Sequence, residues 1–223
     1  MKDNSWIDTF WGLTFIEPVV ALIIMKAARG EVIPARTWLI LSMVCCWGLR
    51  LALYIGLRHN VEDFRYQDMR KRWMEGGYCA YVTKAFFYIF MAQGIYSLIA
   101  NAACLYVVIA GPDDDRLQWN DWVGLAVFLF GFICEVSGDM SLRAHLADRT
   151  PGKGKFCKRG LWRYSRHPNY FGEAVLWWGP YIVACSVYYG WTTFLAPAFI
   201  GLMVRFVSGV PLLENKYLSN PEF

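Results

Sequence analysis

The sequence predicts an all-α fold: a polytopic membrane helix bundle of about six transmembrane helices with both termini on the cytoplasmic side. Three observations predict it. Residues are 57% hydrophobic and only 18% charged, against about 25% charged in an ordinary soluble domain. The apolar residues come in long blocks rather than in alternation. Lysine and arginine collect in alternate connecting segments, as they do on the cytoplasmic side of membrane proteins.

The blocks are 9–28, 38–57, 86–110, 122–142, 169–189 and 191–213. Each reaches or approaches the roughly 20 apolar residues that cross a bilayer as a helix. The first follows MKDNSWIDTFWG, which has no basic region, short apolar core and small-residue cleavage site. It is therefore expected to stay in the membrane rather than be removed as a signal peptide. Between the second and third blocks, EDFRYQDMRKRWMEGG (62–77) reads as a polar interfacial helix, with Arg65 and Tyr66 turned inward. GPDDDRLQWND (111–121), with Asp113, Asp114 and Asp115, reads as a short solvated loop on the non-cytoplasmic side. No repeat or low-complexity tract interrupts the chain, so 1–223 is expected to be one transmembrane domain.

Six alternating spans place 58–84 and 143–167 on the side of both termini. These segments hold six and eight basic residues, whereas the opposite side has Lys26, Arg29, Arg36 and Arg116. The richer side is expected to be cytoplasmic. The seven cysteines are odd in number, form no CxxC and lie mostly in apolar blocks. They read as buried apolar side chains rather than a disulfide framework or zinc site. With only three histidines, far apart in sequence, no metal site is expected, and no nucleic-acid partner either.

The densest chemistry is GLWRYSRHPNYFGE, 160–173. Pro168 suits the first turn of a helix and pushes His167 toward an extended conformation, so the chain is expected to arrive extended through RYSRH and turn into a helix at Pro168. A helix that starts there offers free N–H groups to an anion. Arg163, Arg166 and His167 lie just ahead of it, with Lys153, Lys155, Lys158 and Arg159 upstream. Such a concentration suits a ligand with several phosphates. Asn169 and Glu173 share a helix face, where they can bond an amide or the edges of a ribose or base. Gly172 lets a flat ring approach the backbone, and Tyr164 and Tyr170 can stack or donate. The bland alternative is an interfacial girdle of aromatic and charged residues.

Other charges lie within apolar blocks. Glu135, Asp139 and Arg143 follow at i, i+4 and i+8 in FICEVSGDMSLRAHL. They line a polar cavity or form an internal ion-pair ladder. Arg50 and Arg205 sit in the second and last blocks, and Asp8 opens the first. An Asp8–Arg50 pair is one structural explanation for two of these.

Taken together, IDTFWG (7–12), WGLRLAL (47–53), EDFRYQDMRKRW (62–73), Gln93-Gly94, GLWRYSRHPNYFGE (160–173) and SGVPLLE (208–214) span nearly the whole chain. In these motifs the chain resembles the steroid 5α-reductase-like membrane reductases, in particular their uncharacterised bacterial-type branch. The resemblance implies that the C-terminal half, about 122–223, binds NADPH from the cytoplasmic face. It implies hydride transfer to an activated carbon–carbon double bond in a lipid-like substrate such as an enone, sterol-like or acyl compound. Asp139 and Arg143 would hold ribose or phosphate. Lys155, Arg163, Tyr164, Arg166, His167, Asn169, Tyr170 and Glu173 would line the nucleotide, and Arg50 would reach it from the second span.

The chain departs from the steroid enzymes at several places. Trp47 takes the position of their carbonyl-polarising tyrosine, and an indole donates one hydrogen bond but is no acid. Asp8 lies near the position of their Gln–Glu dyad, and Glu135 replaces an asparagine. The proton donor is therefore sought among Asp8, Tyr54 and Tyr66. Relatives also carry a further helix before IDTFWG and a tail after PLLE, so the chain reads as a reduced member or a trimmed one. Two other readings stand beside the reductase. Isoprenylcysteine carboxyl methyltransferases and phospholipid methyltransferases share RHPxYxG and a downstream glutamate, matched here by 166–172 and Glu214, and use S-adenosylmethionine. A catalytically retired subunit of a larger membrane complex is the third.

Overall fold

The structure is a computed structural model that describes residues 3–59, 61–111, 116–150 and 154–214. The acidic run Asp113–Asp115 and Lys153 lie outside the described residues. All regular structure among the described residues is helical, as the sequence predicts. Four helical stretches are long and apolar enough to cross a membrane: Ala35–Gly56, Tyr78–Ala100, Trp119–Ala147 and Gly190–Glu214. No more than a third of any of these stretches is buried inside the protein. Their remaining apolar surface has the character of a lipid-facing wall. The blocks 9–28 and 169–189 fold into shorter pieces. In the first, helix starts afresh at Leu13 and runs 16 residues, about 24 Å, against about 30 Å of hydrocarbon. The second is divided at Trp177.

The chain forms two compact units, Met1–Asp115 and Arg116–Phe223. The first contains α1 (Trp6–Phe10), α2 (Leu13–Ala28), α3 (Ala35–Gly56) and α4 (Phe64–Met74). Next come α5 (Gly77–Ala85), a π-helical turn (Phe86–Met91), α6 (Ala92–Ala100) and α7 (Ala102–Ala110). Gly12 and Gly48 bring the chain ahead of α2 onto α3: a Cβ on Gly12 would lie 2.2 Å from the Gly48 carbonyl oxygen. Just beyond that contact Phe15 meets Trp47 edge-on, with ring centroids 5.0 Å apart, and both are fully buried. Trp47 is thus a core side chain. Asn101, wholly buried at the joint of α6 and α7, donates from Nδ2 to the Phe15 carbonyl at 2.8 Å. That bond ties the joint to α2 and satisfies an otherwise costly buried amide. Polar α4 is capped by Asp63, whose side chain accepts from the Arg65 N–H.

The second unit is organised by α8 (Trp119–Ala147), 29 residues long and about 43 Å from end to end. Against it lie α9 (Pro168–Leu176) and α10 (Trp178–Ala184). Gly124, Gly131 and Gly138 recur every seven residues along α8. Opposite them are the Gly179 carbonyl, the backbone of Gly172 and Leu176, and the backbone of Asn169. Small residues at such spacing let helix backbones touch where lipid supplies no hydrophobic drive. A 3₁₀ turn (Gly160–Arg163) is pinned to α8 by Trp162, whose Nε1 donates to the Gly138 carbonyl at 2.8 Å. A second 3₁₀ turn (Gly190–Phe194), α11 (Leu195–Leu202), a π-helical turn (Met203–Val207) and α12 (Val210–Glu214) complete the unit.

Candidate functional site

Pro168 is the first residue of α9, and His167 ahead of it is non-helical at φ −144°, ψ 64°. The approach is not extended throughout as expected, because the 3₁₀ turn Gly160–Arg163 runs into it and leaves Tyr164 in the helical region at φ −107°, ψ −24°. This proline punctuation turns the RYSRHPNY stretch over the start of α9. The result is a cavity of about 340 Å³ in the second unit. Phe171, Ala174, Gly201, Val204 and Val210 supply apolar wall, while Ser165, Arg166, His167, Tyr170, Arg205 and Glu214 supply polar groups.

The polar side is held by Glu214. Its Oε1 lies 3.1 Å from His167 Nε2 and 3.5 Å from Arg166 Nε. A carboxylate only accepts, so neutral His167 carries its proton on Nε2. Its ring stacks on Tyr170, with centroids 5.5 Å apart and planes 16° from parallel. The two rings make a flat face beside two guanidinium groups. Gly209 lets the chain before α12 pass close to the rings: a Cβ there would lie 3.2 Å from Tyr170 Cε2.

Burial pushes the His167 imidazole below its ordinary value of 6.5. The Arg166 and Arg205 charges act in the same direction, against the opposing pull of Glu214. The unfolded chain therefore takes up this proton before the native one as pH falls. The stability linked to His167 is fully present above about pH 6.5 and is lost as pH drops through the lower native value. Thermal unfolding followed against pH is expected to show this decline, and His167→Gln, which does not titrate, is expected to flatten it.

Asn169 does not line the cavity. It turns toward α8, where Nδ2 donates to Asp139 Oδ1 at 3.1 Å, and its own Oδ1 is buried without a protein partner. Glu135 and Asp139 are buried, whereas Arg143, one turn further, is exposed. Arg163 and Tyr164 are exposed, the latter at 87%. Lys155 lies over the Phe156 ring, and its carbonyl faces His145 Nε2 at 3.4 Å. Glu173 sits half-buried on α9. Of the nucleotide-lining residues expected from sequence, the cavity thus gathers Arg166, His167 and Tyr170. It adds Arg205 and Glu214, which sequence reading named only as a charge in an apolar block and as part of a rival motif. Their signal was that same misplaced charge: Arg205 lies in the π-helical turn, a distortion that often marks functional positions.

The first unit brings together two of the three expected proton donors. Tyr66 donates its hydroxyl to Asp8 Oδ1 at 2.6 Å and accepts from Gln93 Nε2 at 3.1 Å. Arg65 Nη2 reaches Asp8 Oδ2 at 3.2 Å and its Nε pairs with Asp63. Both inward turns expected of α4 are therefore put to use at Asp8. Burial pushes the Asp8 carboxyl above its ordinary value despite the Tyr66 hydrogen bond and the Arg65 charge. Burial and the Asp8 charge push the Tyr66 phenol far above its own. Of the two, Asp8 is much the readier acid. Tyr54 is instead flanked by Arg50 and Arg58, 5.4 and 4.9 Å from its ring centroid. Tyr66→Phe strips one donor from Asp8 and the acceptor from Gln93. It is expected to lower unfolding stability by about 1–3 kcal/mol, the cost of buried polar groups left unmatched. Chemical denaturation in detergent would measure it.

Fold and site together define a helical membrane protein with a charged, aromatic-faced pocket in its C-terminal half. The chain belongs to the family described as "Protein of unknown function (DUF1295)", whose model matches residues 1–223. It is 26% identical over 243 residues to "Uncharacterized protein C594.04c" of Schizosaccharomyces pombe, covering 96% of this chain and 67% of that protein. No solved structure matches it.

Proposed function

We propose that the protein is an NADPH-dependent reductase of an activated carbon–carbon double bond in a lipid-like substrate, of the steroid 5α-reductase-like kind. The observation that carries this reading is the cavity in which Arg166 and Arg205 stand beside the flat His167–Tyr170 face. Guanidinium groups are the natural partners of phosphates, and a flat aromatic face is the natural partner of a base or nicotinamide ring. The volume of about 340 Å³ lies at the low end of small-molecule sites, roughly 300–1,000 Å³, and suits one half of a dinucleotide. Arg166 and Arg205 would hold phosphate. Tyr170 and His167 would pack on a ring. NADPH supplies a hydride when bound. A reduction also needs an acid, and among the donors expected from sequence Asp8, held by Tyr66 and Arg65 in the first unit, is the readiest.

A methyltransferase using S-adenosylmethionine is the second reading, favoured by one observation. Glu214 contacts His167 in the same cavity, and a carboxylate there suits a cationic sulfonium. Thermal unfolding of the detergent-purified protein with NADPH, NADH and S-adenosylmethionine in parallel separates the readings. A ligand at a hundred times its dissociation constant stabilises the folded state by about 2.7 kcal/mol. Stabilisation by NADPH alone is the expected result. Stabilisation by S-adenosylmethionine alone would overturn the reductase reading for the methyltransferase. No response to any ligand would overturn both and favour a structural subunit of a larger membrane assembly.

A further inference from the structure

The second unit carries a patch at the N-terminal end of α8, remote from the basic segment 143–167 at the other end. Trp119 and Trp122 on the first turn of α8 are 73% and 58% exposed. Tyr188, Tyr189 and Trp191, in the turn after α10, are 79%, 55% and 61% exposed. Two contacts bring the groups to one end of the unit. Ser186 Oγ lies 3.4 Å from Asp121 Oδ1, and a Cβ on Gly124 would meet the Gly179 carbonyl oxygen at 2.6 Å and the Val183 side chain at 2.7 Å. The turn is a fixed corner. Tyr189 adopts a left-handed backbone (φ 58°), and a Cβ on Gly190 would lie 1.7 Å from the Ala184 carbonyl oxygen. A left-handed backbone is strained at a residue with a Cβ, so this corner displays its tyrosines at a cost in strain.

The length of α8 says what this patch faces. From Trp122 to Cys134 the helix has no charged residue, and Arg143 is the first basic one after Trp122. At about 1.5 Å per residue, Trp122 and Arg143 stand about 31 Å apart along the axis. That equals the roughly 30 Å hydrocarbon thickness of a bilayer. Tryptophan and tyrosine favour the headgroup level, where an amphipathic ring meets both apolar and polar surroundings. We infer that Trp119, Trp122, Tyr188, Tyr189 and Trp191 form an anchor in the phospholipid headgroup layer of the leaflet opposite the basic end, setting the depth of the second unit. On that scale Asp139 lies about 6 Å inside the hydrocarbon boundary on the basic side. The Asp139–Asn169 pair is then within the membrane, not in the aqueous loops.

Tryptophan-fluorescence quenching of the full chain in phosphatidylcholine vesicles tests this. One set of vesicles carries a nitroxide on the lipid headgroup and the other carries it at mid-acyl chain. The wild type is compared with the Trp119→Phe/Trp122→Phe/Trp191→Phe variant, conservative changes at exposed sites that should leave the fold intact; matched circular dichroism checks that it is intact. The expected result is that the variant loses much of the fluorescence quenched by the headgroup label and little of that quenched at mid-chain. A loss confined to the mid-chain label would place these residues in hydrocarbon and overturn the proposal. So would a loss seen only with a water-soluble quencher, or with none, as when a protein partner covers the patch. Tyr189→Gly removes the strain together with one anchor ring. It is expected to unfold no earlier in detergent, yet to deepen or raise the remaining tryptophans relative to the headgroup label; unchanged depth would count against the corner as an anchor.

Discussion

Gly131→Ala is expected to lower the thermal midpoint of the detergent-solubilised protein by about 6–12 °C, from a loss of about 3 kcal/mol. The added Cβ would lie 2.5 Å from the Leu176 amide nitrogen and 2.7 Å from the Gly172 carbonyl oxygen. Both are backbone atoms, which cannot swing aside as a flexible side chain does. Helices α8 and α9 must therefore move apart, loosening the contacts at Gly124 and Gly138 on the same seam. Gly201→Ala adds the same methyl in the same unit, where nothing lies within 4 Å. It is expected to stabilise slightly, by about 0.5–1 kcal/mol, because alanine is the better helix former. Opposite signs for the two would locate the effect at the seam. Equal effects would mean that α8 and α9 do not meet as described.

That seam also shows what a sequence discloses in a membrane protein. Long apolar blocks reveal helices, because lipid demands internally satisfied backbones. Apolarity does not reveal which helices touch. The seven-residue recurrence of Gly124, Gly131 and Gly138 did carry that information, but in a sequence it is visible only as three ordinary glycines. The blocks 9–28 and 169–189 read as unbroken spans because Gly12 and Trp177 are themselves apolar or neutral. The first break follows packing, where Gly12 is pressed on Gly48; the second follows Pro180, which has no N–H for the Leu176 carbonyl and so ends α9 there.

The site was legible to the extent that its chemistry is local. Pro168 and the RYSRHPNY stretch predicted a helix start flanked by cations, and the cavity opens there. What escaped is the far side. Arg205 and Glu214 come from helical turns nearly forty residues or more beyond Arg166, and only the folding back of α11 and α12 places them with it. Asn169 and Glu173 were grouped because they share a face. Yet Asn169 is drawn to Asp139, because Gly138 admits its backbone at a distance no larger residue would allow. In the first unit, Asp8 and Tyr66 stand 58 residues apart and meet at 2.6 Å. No local pattern announces such a pair; it follows from a polar helix, α4, with a single buried tyrosine to satisfy.

The charges of the cavity give the sharpest separation of the two chemistries proposed for it. NADPH is a polyanion, so Arg166→Ala is expected to weaken its binding about 10- to 100-fold, the loss of one charge-assisted contact of roughly 1.5–3 kcal/mol. Glu214→Gln should act in the other sense. It removes a negative charge from a cavity that must admit phosphates, and it frees Arg166 from the carboxylate 3.5 Å away. NADPH binding is expected to be maintained or strengthened. S-adenosylmethionine, with a cationic sulfonium, reverses both signs: Glu214→Gln would weaken it and Arg166→Ala would be tolerated. Titration calorimetry of the two variants with both ligands reads this crossed pattern directly. Both substitutions conserve or reduce side-chain volume at the cavity surface, and the Arg166–Glu214 contact, with Arg166 61% exposed, contributes little to folding. A change in ligand affinity is therefore separable from a loss of stability. If Arg166→Ala and Glu214→Gln move NADPH affinity in the same direction, charge is not what the cavity reads, and the assignment of Arg166 to a phosphate fails.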